Sequence, residues 1–275
     1  MKIKVVNQRL YPEPTVWQQI LDKVDETKQI AQSVREDAEA GKFAATAEMV
    51  ERAVSTYMTG LSPEMHRNIF RGECLGESIT AEQLATIRDG SFKDLYVGDY
   101  WEKDGVKYRI ADINYWKNVG YPEQVQKPHI LIVPDTTLGS GQMNANNSTA
   151  GGYRNSAMKT ARLNQIADSL PDTFKNILIS HRMFSDGTWI TTSIDLMNEV
   201  MVHGTYICAD NNNKQTSDTQ QLSLFRLAPE LKAIGVYWLR NVASERMYTL
   251  VSQYGDASSD MATSTYGIRP VFAIG

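Results

Sequence analysis

The sequence predicts an α+β protein, an N-terminal helical stem followed by a strand-rich domain. Three observations carry this. Residues 15 to 40 place apolar side chains at spacings of three and four, the period of one helix face. Helical periodicity gives way between residues 60 and 72 to short aromatic and β-branched runs, the pattern of strands. Residues 237 to 275 hold three such runs with polar stretches between them. The expected layout is an arm over 1–14, a helical oligomerisation and anchoring stem over 15–66, and the strand-rich domain over 67–275.

The arm alternates Lys2, Ile3, Lys4 and Val5, as a short strand does, until Pro12 and Pro14 break it. Thr15, with Gln18 three positions on, forms a capping box for a helix ending near Ala40, where Gly41 is a stop. Trp17, Ile20, Val24, Thr27, Ala31, Val34 and Ala38 form a heptad seam on it. The other faces are charged, so the narrow seam points to pairing with copies of the same chain. At 1.5 Å per residue the helix is roughly 40 Å long. Phe43, Ala47, Val50 and Val54 predict a second helix over 43–59, ended by Gly60.

In the domain, residues 70–76 read as a short strand, and Ser78 or Thr80 caps a helix over 81–88 stopped by Gly90. Residues 96–102 and 106–113 are strands joined by Asp104-Gly105, a hairpin signal. Residues 129–133 are a buried strand closed by Pro134. The Gly-, Asn- and Ser-rich stretch 139–153 is a long loop. A helix follows from Ser156 to about Leu170, then a strand over 177–180. Ser193 caps a helix over 194–203, and 206–209 is a strand leading to a polar loop, 210–219. A short helix over 220–227 precedes Pro229. The final strands are 237–239, 247–254 and 268–274, separated by polar loops over 241–246 and 255–264.

Composition limits the function. A net charge of −4 gives no basic footprint for nucleic acid. Without an apolar run of membrane length, or an apolar h-region at the start, neither membrane insertion nor a signal peptide is expected. Cys74 and Cys208 lie far apart and outside any C-x-x-C pair. They are expected reduced and buried, with no disulfide framework or zinc site. The four histidines share no metal-ligand spacing, and Ser180-His181 lacks the G-x-S-x-G context of a nucleophile. The run 210–213 lacks the glycine and terminal acid of a calcium loop. No catalytic residue, metal or cofactor is expected.

The runs Tyr237-Trp238-Leu239-Arg240 and Gly267-Ile268-Arg269-Pro270-Val271-Phe272 resemble the close of C-type-lectin-like domains in phage and bacterial surface proteins. The resemblance extends through Leu95 to Trp101, Arg109 to Asp112, Val133-Pro134-Asp135 and Met197 to Met201, covering roughly residues 70 to 275. Some members of that group are tropism determinants diversified by retroelements. The resemblance implies a C-type-lectin-like domain in a non-enzymatic phage virion protein, of tail-fibre or head-fibre type, that attaches to a host. The partners it implies are copies of itself, with a trimer preferred, other virion proteins through the N-terminal region, and a host cell-surface glycan or protein. The alternative is a capsid or tail decoration protein with no receptor. The lectin-type calcium motifs are missing, so calcium-dependent sugar binding does not carry over.

Arg240 and Arg269 sit in apolar runs and are expected to be structural, with Asp99 and Asp112 as candidate partners. Ligand contact is expected from the polar residues of the final strands and loops: Asn241, Ser244, Arg246, Tyr248, Ser252, Tyr254, Asp256 and Ser259. Tyr supplies rigid amphipathic area and small polar residues adapt around it.

Overall fold

The computed structural model describes residues 14–39, 62–210 and 216–275, and within the first helix the side chains of 22–36. The expected arm and second helix lie outside the described residues. The chain divides into two units, Met1–Gly60 and Leu61–Gly275. In the first unit a helix spans Pro14–Glu39, starting one residue before the expected Thr15. Its described side chains are almost all exposed: Val24 at 37%, Ile30 at 53% and Val34 at 38%.

The second unit mixes helices with sheets. Its strands are β1 (Tyr100–Lys103), β2 (Val106–Ile113), β3 (Ile130–Pro134), β4 (Ser140–Gly141), β5 (His181–Ser185), β6 (Thr188–Thr192), β7 (Ile194–Leu196), β8 (Tyr237–Val242), β9 (Met247–Val251), β10 (Ala257–Met261), β11 (Tyr266–Gly267) and β12 (Pro270–Ile274). One five-stranded sheet runs β1-β2-β3-β12-β7, another runs β10-β9-β8-β11-β4, and β5 and β6 form a separate hairpin.

The last segment joins the sheets. Residues 266–267 pair with β4 and β8, and 270–274 then pair between β3 and β7. The three C-terminal runs therefore do not share one sheet. Along β3 and β12, Ile130, Ile132, Phe272 and Ile274 face one core cluster while Leu131, Val133, Val271 and Ala273 face the other. Both faces of that sheet are buried, which is why these strands read as continuous apolar runs.

The G-x-R-P residues make the crossing possible. A Cβ on Gly267 would meet Thr137 Cγ2 at 2.3 Å and the Val236 carbonyl oxygen at 2.9 Å. Arg269 is fully buried; its Nε donates to the Pro134 carbonyl at 2.8 Å and its Nη1 to the Leu231 carbonyl at 2.9 Å. Its guanidinium lies 5.2 Å from the ring centroids of Phe225 and Tyr237. Trp238 Nε1 donates to the Gly141 carbonyl at 2.9 Å, fastening β8 to the outermost strand.

Local signals explain other elements. Thr80 and Gln83 form a reciprocal capping box on the helix Ala81–Asp89, and Gly90 ends it in the left-handed region. Asp104 and Gly105, with φ of 52° and 77°, close the β1–β2 hairpin. Asp186 and Gly187, with φ of 51° and 74°, close the β5–β6 hairpin in the same way; this hairpin is not among the expected elements.

Several expectations are corrected. The span 194–203 divides into strand β7 and a helix Glu199–His203 capped by Asn198, not by Ser193. Residues 206–209 form no strand, because the N–H groups of Ile207, Cys208 and Ala209 all donate to the buried Glu199 carboxylate at 2.9–3.1 Å. The expected loop 139–153 is held in place: β4 pairs with β11, and Met143 and Tyr153 are fully buried. The expected loop 255–264 contains β10. Residues 70–76 and 177–180 contribute single bridges, not regular strands. Cys74 is exposed and Cys208 half-buried, neither in a disulfide, so the expected burial fails. Cys74 lies on an outlying segment bridged to Tyr100, and Cys208 is held by Glu199 against the surface.

Candidate functional site

The eight expected ligand contacts do not converge. Ser244 and Arg246 lie in the turn between β8 and β9, while Ser252, Tyr254 and Asp256 lie in the turn between β9 and β10. These turns cap opposite ends of β9, roughly 20 Å apart at the rise of a strand. Ser259 is in the middle of β10, opposite Thr249.

Two of the eight are interior. Asn241 is buried because β8 continues through it; its Oδ1 accepts from the Glu199 N–H at 2.7 Å. Tyr248 is fully buried, and its hydroxyl donates to the Gly152 carbonyl at 3.2 Å. Asn241 was expected in a polar loop and Tyr248 at the ligand surface; both faces of β8 and β9 are covered instead, Trp238, Tyr248 and Leu250 belonging to one core cluster and Tyr237, Leu239 and Val251 to the other. Tyr254 is 76% exposed, and Arg246 and Asp256 are exposed too. Ser252 Oγ accepts from the N–H groups of Tyr254 and Asp256 at 3.2 Å, fixing that turn. Thr149 binds the carbonyls of Ser244 and, through its own N–H, Glu245, so the other turn is tied to the 139–153 segment.

The arginines of the final runs are structural, but not with the expected partners. Arg240 pairs with Asp218, and Trp116 Nε1 donates to the same carboxylate at 2.6 Å. Asp218 was expected in a polar loop and is fully buried. Arg269 is held by carbonyls and the Tyr237 hydroxyl. Asp99 receives Arg71 at 2.8 Å, and Asp112 receives Arg67. Asp99 and Asp112 thus fasten Arg71 and Arg67 to the segment Asp99–Ile113.

A buried polar cluster lies beside Arg240 and Asp218. Tyr153 donates to Asp195 Oδ1 at 2.7 Å, and Lys159 Nζ reaches the same oxygen at 3.0 Å. Lys159 also donates to Thr192 Oγ1 at 2.5 Å and to the Ile194 carbonyl at 2.9 Å. His181 stacks on Trp116 at 3.5 Å between ring centroids, and its two ring nitrogens have no hydrogen-bond partner among the described residues. Burial pushes His181 down to about 4, against the pull of Asp195 and Asp218. Burial also holds the Tyr153 hydroxyl well above its ordinary value.

Lys159, Thr192 and Ile194 of this cluster also line an open cleft of about 440 Å³ between the helical segment 158–169 and strand β6. Its walls include Arg154, Thr160, Asn164, Ser180, Thr191 and Ser193. The segment Met158–Arg162 is a π-helical turn, a form that recurs at functional sites. None of these residues was expected from sequence to contact a ligand; Ser180 was set aside as a nucleophile and Ser193 was read as a helix cap. The lining residues come from three separate segments, and only the unexpected β5–β6 hairpin brings them together.

Among the described residues, no group of three or more His, Cys, Asp or Glu side chains is placed to hold a metal ion, and no helix is long and apolar enough to cross a membrane. No family model, curated protein or solved structure matches the chain.

Proposed function

We propose that the chain is a non-enzymatic phage virion protein that self-associates through its N-terminal helix and presents a C-type-lectin-like domain to the host surface. The observation that carries this is the helix Pro14–Glu39, whose apolar residues Val24, Ile30 and Val34 stay exposed within one chain. An apolar stripe on an otherwise charged helix is stabilised when copies bury it together. The resemblance of the W-L-R and G-x-R-P runs supplies the setting. Several copies on one particle turn weak single contacts into avidity.

Sedimentation velocity on the full chain tests the first half. A species of three chains is expected, and a monomer at micromolar concentration defeats it. Binding of the labelled full chain to host cells tests the second half; no binding above that of an unrelated protein defeats attachment.

A decoration protein of capsid or tail without a receptor is the second reading. It is favoured by the scatter of Ser244, Arg246, Ser252, Tyr254 and Asp256 over two opposite turns. Imaging of the particle distinguishes them: in this reading both turns lie against neighbouring virion proteins.

A further inference from the structure

We propose that the cleft between residues 158–169 and β6 is a binding site for an acidic carbohydrate, a polyhydroxylated ligand carrying a carboxylate or phosphate. Three observations converge on that chemistry. The first is the charge of Arg154. Its Nε is buried, yet among the described residues nothing accepts a hydrogen bond from it. No carboxylate is ion-paired with its guanidinium among the described residues; the Asp186 carboxylate accepts from its backbone N–H at 3.2 Å instead. A guanidinium left in that state is a fork of donors awaiting a planar or tetrahedral anion.

The second is the rest of the cleft's charge. Lys159, the other cation of the lining, is already spent on Asp195, Thr192 and the Ile194 carbonyl. Arg154 is therefore the cation left for a ligand, which fits one acidic group and not a densely charged polymer. The third is the wall opposite. Thr191, Ser193 and the side-chain oxygens of Thr160 and Asn164, whose Oγ1 and Nδ2 donate to the Ser156 and Thr160 carbonyls, line a volume of about 440 Å³, within the range of small-molecule sites. Such a lining pairs with many ligand hydroxyls and gives an apolar ligand little to bury against. The buried Asp195–Lys159–Tyr153 cluster keeps the Lys159 part of the lining rigid, since each member is fixed by at least one other.

The site names a ligand class for the attachment reading and rests on that reading only for where the ligand is found. Titration calorimetry on the full chain tests it, with a glucose oligosaccharide ending in one uronic acid, the same oligosaccharide carrying one phosphate, and the neutral oligosaccharide as probes. Saturable binding of an acidic probe, weakened by salt, is expected, and which of the two binds identifies the acid. Arg154→Gln should weaken the acidic probe by about tenfold or more, the worth of one charge-assisted contact. Asn164→Ala, on the exposed side of the helix, should also weaken it while leaving the unfolding midpoint unchanged. Absence of binding by the wild-type chain to either acidic probe overturns the site. Unchanged affinity in a folded Arg154→Gln chain also overturns it. Host-cell binding by the wild-type chain is read in parallel: its failure sinks the attachment reading alone, and the calorimetric result stands.

Discussion

Arg240 is ion-paired to Asp218 with both side chains sealed from solvent, the arginine 3% exposed and the aspartate 0%. The pair links β8, the strand of the W-L-R run, to a segment that sequence pattern alone reads as a solvated loop. Removing one partner leaves the other charge buried and uncompensated. Asp218→Asn keeps the shape and removes the charge. It should cost about 3–5 kcal/mol of stability, measured as the shift of the urea midpoint at constant slope. A loss within about 0.5 kcal/mol, the range of an ordinary surface change, would show the pair to be dispensable.

The two tyrosines of β9 and its following turn should behave oppositely. Tyr248 is fully buried and Tyr254 is 76% exposed. Tyr248→Ala opens a cavity among Trp238, Leu250 and their neighbours in the core, at about 3–5 kcal/mol. Tyr254→Ala should change stability by less than about 0.5 kcal/mol. Thermal unfolding of the single variants checks this. Loss of host-cell binding is informative only in the Tyr254 variant, because the Tyr248 variant confounds contact with folding.

How much of this was legible beforehand follows from where each signal is stored. The capping box at Thr80 and the Asp104-Gly105 turn are local, so short stretches of sequence reveal them. Asp186-Gly187 carries the same turn signal, but β6 (TWITT) has little burial contrast along it, and the hairpin stayed hidden. Both faces of β8 and β9 are covered, so alternation could not tell inside from outside at Asn241 or Tyr248. Glu199 and Asp218 were unreadable for a different reason. A buried carboxylate is marked only by its partners, and those lie 8–10 and 22–102 residues away respectively. The cleft is assembled by the same kind of distant pairing, so no motif announces it.

The N-terminal helix should depend on its seam for association. Val24 and Val34 occupy the same stripe and remain exposed in one chain. A Val24→Asp, Val34→Asp double variant places charges in each copy of a shared apolar core, where burial without a partner is costly. Sedimentation should show it as a monomer. Since the unit Leu61–Gly275 folds around separate cores, its unfolding midpoint should be unchanged. A variant that keeps the wild-type mass would place the association surface elsewhere.

Stability should fall in mild acid through His181. The folded chain holds this ring neutral down to about 4, from an ordinary value of 6.5. Between those values the unfolded chain binds a proton that the folded chain refuses. Stability from this group is therefore complete above about pH 6.5 and is lost as pH falls toward 4. The full swing is on the order of 3 kcal/mol, at about 1.4 kcal/mol per pH unit. His129 and His203 are lowered to about 4 as well, in each case chiefly by burial, so the wild-type slope contains more than one proton. His181→Phe preserves the stack on Trp116 and removes one titrating group. Urea unfolding at pH 7 and pH 5 should show a smaller drop for the variant than for wild type. Equal drops would mean that His181 is protonated, and satisfied, in the folded chain at pH 5.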